Sequence, residues 1–184
     1  VGSEMCIRDS PSNALKTEGN YINGVRDGLW TFWYEGEVFQ DFGEDGDPNT
    51  QDEGEGNGMW DSTETVTLDL DGDTFFDPPR KKEEGSYKAG NREGLWTVFF
   101  ETGSRKEEAN YNNGKLNGTL VRWYENGNKS QEGIYESGKQ SGRWIWYYQS
   151  GIKKEQTNFF DGQQDGLWIQ WFSDGSKKSE RKFT

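Results

Sequence analysis

The residues best placed to do chemistry lie between positions 41 and 79, a stretch with 13 acidic residues and no Lys or Arg. Within it Glu53, Glu55, Asn57, Asp61 and Glu64 fall at positions 1, 3, 5, 9 and 12 of a twelve-residue loop. Carboxylates at alternate positions of such a loop converge on Ca²⁺, which takes six to eight oxygen ligands. Gly58 stands at position 6, where the sharp turn is made, Met59 supplies the position 7 carbonyl, and Trp60 is the apolar residue at position 8. A second run places Asp69, Asp71, Asp73 and Asp77 at positions 1, 3, 5 and 9, with Phe76 at position 8. Here Thr74 stands where the glycine belongs and Arg80 where the final Glu belongs. The competing reading is a solvated acidic loop that holds no ion.

Other chemistries are narrowed by what the chain lacks. With no histidine, a Ser-His-Asp triad, a Cys-His pair and an HExxH zinc site are all excluded. The recurring G-x-x-x-G is not followed by G-K-[ST], so it is no phosphate-binding loop, and its polar surroundings argue against a membrane dimer motif. A glycosidase needs two carboxylates facing each other across a cleft, whereas the acidic residues cluster in one segment. A net charge of -12 disfavours nucleic acid. No apolar run approaches the ~20 residues of a membrane helix, and none reads as a signal peptide. The first ten residues, VGSEMCIRDS, resemble a translated sequencing-adapter remnant of the kind carried by metagenomic gene models. Setting them aside removes Cys6, the only cysteine, so redox compartment is not readable.

The acidic stretch must be carried by something, and the rest of the chain is of a different kind. The whole chain has 33 acidic and 21 basic residues, so outside positions 41–79 the balance is 20 acidic to 21 basic, close to neutral. Hydrophobic residues make up only 29% and mean hydropathy is -1.13, values that alone suggest disorder. Nine Trp, eight Tyr and eleven Phe argue otherwise, because each aromatic supplies a large apolar area. They recur with a fixed period. Tyr87, Tyr111, Tyr135 and Phe159 are 24 residues apart, as are Gly90, Gly114, Gly138 and Gly162, and Gly94, Gly118, Gly142 and Gly166. Tyr21, Gly24 and Gly28 begin an earlier copy, separated from the next by one period plus 42 residues. Segments such as RWIWYY at 143–148 are short, aromatic and bounded by glycines, a strand signal. Lys153 to Phe160 would be the partner strand, so each unit supplies a hairpin that depends on its neighbours.

Strand alternation sorts the side chains into two faces. Trp30, Trp96, Leu120, Trp144 and Trp168 share a first face with Tyr34, Phe100, Tyr124, Tyr148 and Phe172. Its centre is variable, with Phe32, Val98, Arg122, Trp146 and Gln170. Arg122 and Gln170 suggest that part of this face is wet, and Arg122, Trp146 and Gln170 are the candidate binding residues. The second face, with Trp33, Phe99, Trp123, Tyr147 and Trp171 beside Thr31, Thr97, Val121, Ile145 and Ile169, is expected to be the more core-like. The basic pairs at 81–82, 153–154 and 177–178 are expected at solvent-facing strand positions.

The unit Y-x-x-G-x-x-x-G-x-W, followed by an aromatic pair and a glycine, resembles the MORN repeat variant family in its bacterial form. The resemblance covers 18–40 and 84–184, with Leu120 departing from the usual Trp. It implies a non-enzymatic scaffold for protein or membrane contact, with an antitoxin component of a bacterial toxin–antitoxin pair as the alternative. The acidic segment resembles EF-hand-like calcium loops of the dockerin type. It departs from them in Glu53 at the first position and in TVTLDL, which reads as a strand instead of a flanking helix. This second resemblance implies Ca²⁺ as the cofactor and an extracytoplasmic location. The expected fold is all-β: an elongated single-layer antiparallel β-meander of tandem β-hairpin repeats with an inserted acidic loop. The expected order is a leader at 1–17, repeat 1 at 18–40, the insertion at 41–83 and repeats 2–5 at 84–184. The expected partner is a protein or a surface polymer.

Overall fold

A computed structural model describes residues 17–34, 38–40, 65–68 and 80–183. The described residues contain no helix, and 11 of their strands form one open antiparallel sheet. In chain order the strands are β1 (Thr17–Ile22), β2 (Val25–Trp33), β3 (Val38–Gln40), β4 (Thr65–Leu68), β5 (Lys81–Lys88), β6 (Asn91–Phe99), β7 (Arg105–Asn112), β8 (Lys115–Trp123), β9 (Lys129–Glu136), β10 (Lys139–Tyr147), β11 (Lys153–Phe160), β12 (Gln163–Trp171) and β13 (Lys177–Phe183). Each strand of the large sheet pairs with the next, and β2 pairs directly with β5, which makes the meander continuous across the insertion. β3 and β4 pair only with each other. The strand expected between the two acidic loops is thus present as β4.

Two turn chemistries repeat along the sheet. At one end each hairpin closes through two residues with positive φ, as in Asn23–Gly24 (52° and 77°) and Asp161–Gly162 (50° and 83°). That is the turn whose twist matches the strands it joins, and Asn-Gly and Asp-Gly favour it. Ala89 and Ser137 take the same left-handed conformation less readily, at φ 48° and 51°. At the other end a longer turn closes by a main-chain bond, from Phe100 N to Ser104 O at 2.8 Å and from Tyr148 N to Ile152 O at 2.8 Å. The corresponding bond in the first repeat runs from Tyr34 N to Arg80 O at 2.8 Å. The insertion therefore replaces one such turn, and the hairpin register on either side of it is kept. Lys81 to Glu83, at the end of the expected insertion, belong to β5.

Just past that end every short strand carries a bulge. Phe32 faces Glu83 but Trp33 faces Lys81, so Lys82 is skipped. The same shift skips Lys106, Ser130, Lys154 and Lys178. An extra residue in one strand re-aims the side chains around it. Here it turns the first member of each basic pair to the second face and the second member to the first.

The core lies on the first face, which corrects the expectation that the second would be drier. Trp30, Trp96, Ala109, Leu120 and Trp144 are each exposed by 1% or less, whereas the second face contributes only Thr31 and Ile145 to the buried set. The reason is a cross-strand row in which small and large residues alternate. Gly19 faces Trp30, Trp30 faces Gly85, Gly85 faces Trp96, Trp96 faces Ala109, Ala109 faces Leu120, and Leu120 faces Gly133. Trp144 faces the fully buried Thr157, and Trp168 faces Arg181. Where the small residue is glycine, the indole lies flat on that strand. A Cβ built on Gly85 or Gly133 would fall 2.3 or 2.2 Å from the Trp96 or Trp144 ring. Tyrosines flank the indoles edge-on, with Tyr87 5.0 Å from Trp96 and Tyr135 5.1 Å from Trp144. On the second face the alternating places are taken by Glu84, Glu108 and Glu132, so that face cannot close into a dry layer.

Candidate functional site

The three residues singled out for binding occupy one cross-strand row on the first face. Arg122 on β8, Trp146 on β10 and Gln170 on β12 are separated by Gln131 and Glu155 on the short strands between them. Side chains beside them already engage all three. Arg122 Nε donates to Glu107 Oε2 at 2.5 Å and Nη1 donates to Gln131 Oε1 at 3.3 Å. Gln170 Nε2 donates to Glu155 Oε2 at 3.4 Å and its Oε1 accepts from Ser179 Oγ at 3.2 Å. Trp146 packs against Trp144 and Phe159, with ring centroids 5.8 and 6.4 Å away, and so forms part of the wall of the core.

An open groove of about 480 Å³ lies beside Arg122 on the same face. Its floor is Val98, Phe100 and Tyr124, and its rim includes Lys106, Glu107, Glu125, Ser130 and Gln149. The aromatic rungs here are fixed by backbone. Tyr124 OH donates to Tyr147 O at 2.8 Å, and its relatives Tyr34 and Tyr148 donate to Phe99 O and Trp171 O at 3.0 and 2.9 Å. Each tyrosine thus ties its repeat to the next. Burial and the nearby Glu101 carboxylate raise the Tyr34 phenol above its ordinary range.

The bulged lysines complete this edge, and their role escaped the sequence reading. Lys82, Lys106, Lys154 and Lys178 lie over Tyr34, Phe100, Tyr148 and Phe172 at 5.6, 5.4, 5.8 and 5.6 Å. Their chain neighbours face the other way, and all of them but Lys153, which donates to Gln156 Oε1 at 3.3 Å, are neutralised there, as is Lys129 beside Ser130. Lys81 pairs with Glu84 at 2.7 Å, Arg105 with Glu108 at 2.8 Å, Lys129 with Glu132 at 2.7 Å, and Lys177 with Glu180. The signal that could have revealed the split was the 24-residue recurrence of the second lysine, at Lys82, Lys106, Lys154 and Lys178, with Ser130 as its one interruption. On the second face burial, Glu132 and its hydrogen bond push the Tyr147 phenol up to about 12. Partial burial acts to raise Glu132, but hydrogen bonds from Lys129 and Tyr147 hold it below the usual carboxylate range.

The expected calcium ligands Glu53, Glu55, Asn57, Asp61, Glu64, Asp69, Asp71, Asp73 and Asp77 lie outside the described residues. Among the described residues no three His, Cys, Asp or Glu side chains gather as a metal-binding group.

The repeat geometry above is what the comparisons with known proteins reach. Residues 92–113, 116–138 and 140–161 match the MORN repeat variant family. Each match opens in a long strand and ends at or next to a positive-φ turn, so the family's unit is the hairpin seen here. Proteins with MORN repeats are generally scaffolds for protein or membrane interaction. No curated protein matches the chain.

Proposed function

We propose that the protein is a non-enzymatic repeat scaffold that docks a protein partner on its first face. The observation that carries this is the groove of about 480 Å³ in the middle of the aromatic rungs, on a sheet whose first face has no second layer among the described residues. Half-buried aromatics with satisfied backbone around them are the anchors that interfaces use. Affinity capture from a native lysate tests it with two variants. Arg122→Ala with Tyr124→Ala disturbs the groove, while Leu95→Ser with Ile134→Ser removes exposed apolar residues of the second face. The expected result is one protein retained by wild type and by the second-face variant and lost from the first-face variant. Retention by all three overturns the reading.

Calcium binding by the insertion, and with it an extracytoplasmic setting, is a separate proposal supported by the oxygen-ligand spacing at 53–64 and 69–77. Calorimetric titration of the full chain with Ca²⁺ is expected to show heat that Glu64→Ala reduces. A wild type without heat ends that proposal.

A further inference from the structure

The proposed scaffold face carries one row of charge that the fold itself does not use. Lys82, Lys106, Lys154 and Lys178 are exposed, and among the described residues none of them has an ion pair. Of their neighbours on the second face, Lys81, Arg105 and Lys177 do, through Glu84, Glu108 and Glu180, while Lys153 donates to the neutral Gln156. The acidic residues beside them on this face, Glu83, Glu107 and Glu155, are turned to other partners, Arg92, Arg122 and the Trp168 indole. Instead each ammonium rests on an aromatic ring, held in place and free to meet an anion from solution. The row is broken once, by Ser130, and there no cation covers Tyr124. The groove opens at that point, between the repeats that carry Lys106 and Lys154.

We propose that this row binds an extended acidic peptide that crosses the strands, with its middle seated over Tyr124; this deepens the scaffold reading and rests on it. The geometry sets the peptide's pattern. Two strands per repeat put successive lysines about 10 Å apart along the sheet, somewhat more at strand ends because the sheet twists. An extended chain covers that in about three to four residues, so carboxylates are needed at about every third or fourth position. Between them an apolar or prolyl residue faces Val98, Phe100 and Tyr124. Glu125 on the groove rim repels a polymer with charge at every unit, which selects spaced carboxylates over polyphosphate or nucleic acid.

The bulges provide the control. Lys106→Ala with Lys154→Ala removes two cations from the first face, whereas Arg105→Ala with Lys153→Ala removes two from the second at the same change in net charge. The probe is a fluorescent synthetic peptide of about 15 residues with Glu at every third position, compared with its Gln counterpart by anisotropy against the full chain. The expected result is salt-dependent binding of the Glu peptide, weakened about tenfold by the first pair and little by the second, with the Gln peptide weaker throughout. Melting temperatures identify any variant that has lost its fold, and Tyr124→Phe, which keeps the ring, should retain binding. Equal loss from both pairs, equal binding of the Gln peptide, competition by inorganic polyphosphate as strong as by the Glu peptide, or no binding at all would each overturn the proposal. A lysate partner lost from the Arg122→Ala, Tyr124→Ala variant but not from the Lys106→Ala, Lys154→Ala variant leaves the scaffold reading standing and overturns this one.

Discussion

Trp144 and Trp168 occupy equivalent places one repeat apart, yet they sit differently. Trp144 is fully buried, its ring flat on Gly133, and its Nε1 donates to Ile134 O at 3.1 Å. Trp30 and Trp96 do the same over Gly19 and Gly85, donating to Asn20 O and Ser86 O. Trp168 meets Thr157 where the others meet glycine. A side chain there blocks the flat pose, so its Nε1 turns to the Glu155 carboxylate at 2.7 Å and the ring stays partly exposed. Leu120 is the third solution: it faces Ala109 where the indoles lie over glycine, and the leucine is as fully buried as they are. The residue that decides how an aromatic packs is therefore the small one on the preceding strand.

The largest test of this difference is truncation. Trp144→Ala should cost about 3–5 kcal/mol in urea unfolding, since it empties the centre of the core. Trp168→Ala should cost about half of that or less, because its ring is only partly removed from water. Equal losses would mean that the seat of the ring does not govern its contribution.

Next in size is Gly133→Ala. The added Cβ meets ring carbon of Trp144 at 2.2 Å, and neither backbone nor indole can yield by so much. A loss of about 2–3 kcal/mol is expected, with Trp fluorescence shifted to the red as the ring is lifted toward water. Leu120→Trp should likewise destabilise by about 1–3 kcal/mol, and Ala109→Gly in the same chain should recover most of it. A double-mutant cycle reads the coupling directly; independence of the two sites would refute the pairing of small and large.

Much of this architecture was legible in the sequence, for a physical reason. Positive-φ turns and aromatic strands leave strong local signals, and their recurrence every 24 residues set strand order and hairpin pairing without long-range information. The identity of the dry face was not legible. Alternation assigns Trp144 and Ile145 to opposite faces but does not say which is covered. Gly85, Ala109, Gly133 and Thr157 decide it, and these carry no hydrophobic signal of their own. Arg122 is exposed, as its polar side chain implied, but the partners that engage it and Gln170, namely Glu107, Gln131, Glu155 and Ser179, lie on other strands and could not be read from one strand's sequence. The bulges that decide which of Lys81 and Lys82 takes which face depend on cross-strand register, which one strand's sequence does not display.

The contrast between the faces also predicts a pH response that is largest on the second. Tyr147 has an ordinary phenol value of 10.0 that rises to about 12 in the fold. A raised value means that the stabilisation is complete below pH 10 and is lost as pH climbs toward about 12. Glu132, held low, has the opposite sign: its contribution is present above the ordinary carboxylate range and fades as pH falls through its lowered value. Tyr147→Phe should flatten the alkaline decline in stability and remove a late-titrating phenolate from the ultraviolet spectrum. A wild type whose tyrosines all titrate near 10 would contradict the Glu132–Tyr147 contact.

The smallest expected effect lies at the turns, where the repeats differ without any change in the core. Asn23, Asn113 and Asp161 take left-handed φ with side chains that tolerate it, while Ser137 adopts φ 51° and Ala89 φ 48° without that advantage. Ser137→Asn should therefore stabilise by a few tenths of a kcal/mol, about 0.3–0.5, visible as a small rise in melting temperature. Ala89→Asn should do the same, because it closes the equivalent hairpin of another repeat. The two gains should add, since the turns are separated by several strands and share no contact. A loss at either turn would show that something besides backbone conformation chooses the residue there. At Ala89 that second influence has a visible source, for its N–H donates to Asp27 Oδ1 at 3.2 Å from the preceding repeat. Asp27→Asn combined with Ala89→Asn separates the two: a gain that survives the pair belongs to the turn, and one that vanishes belongs to the bridge between repeats.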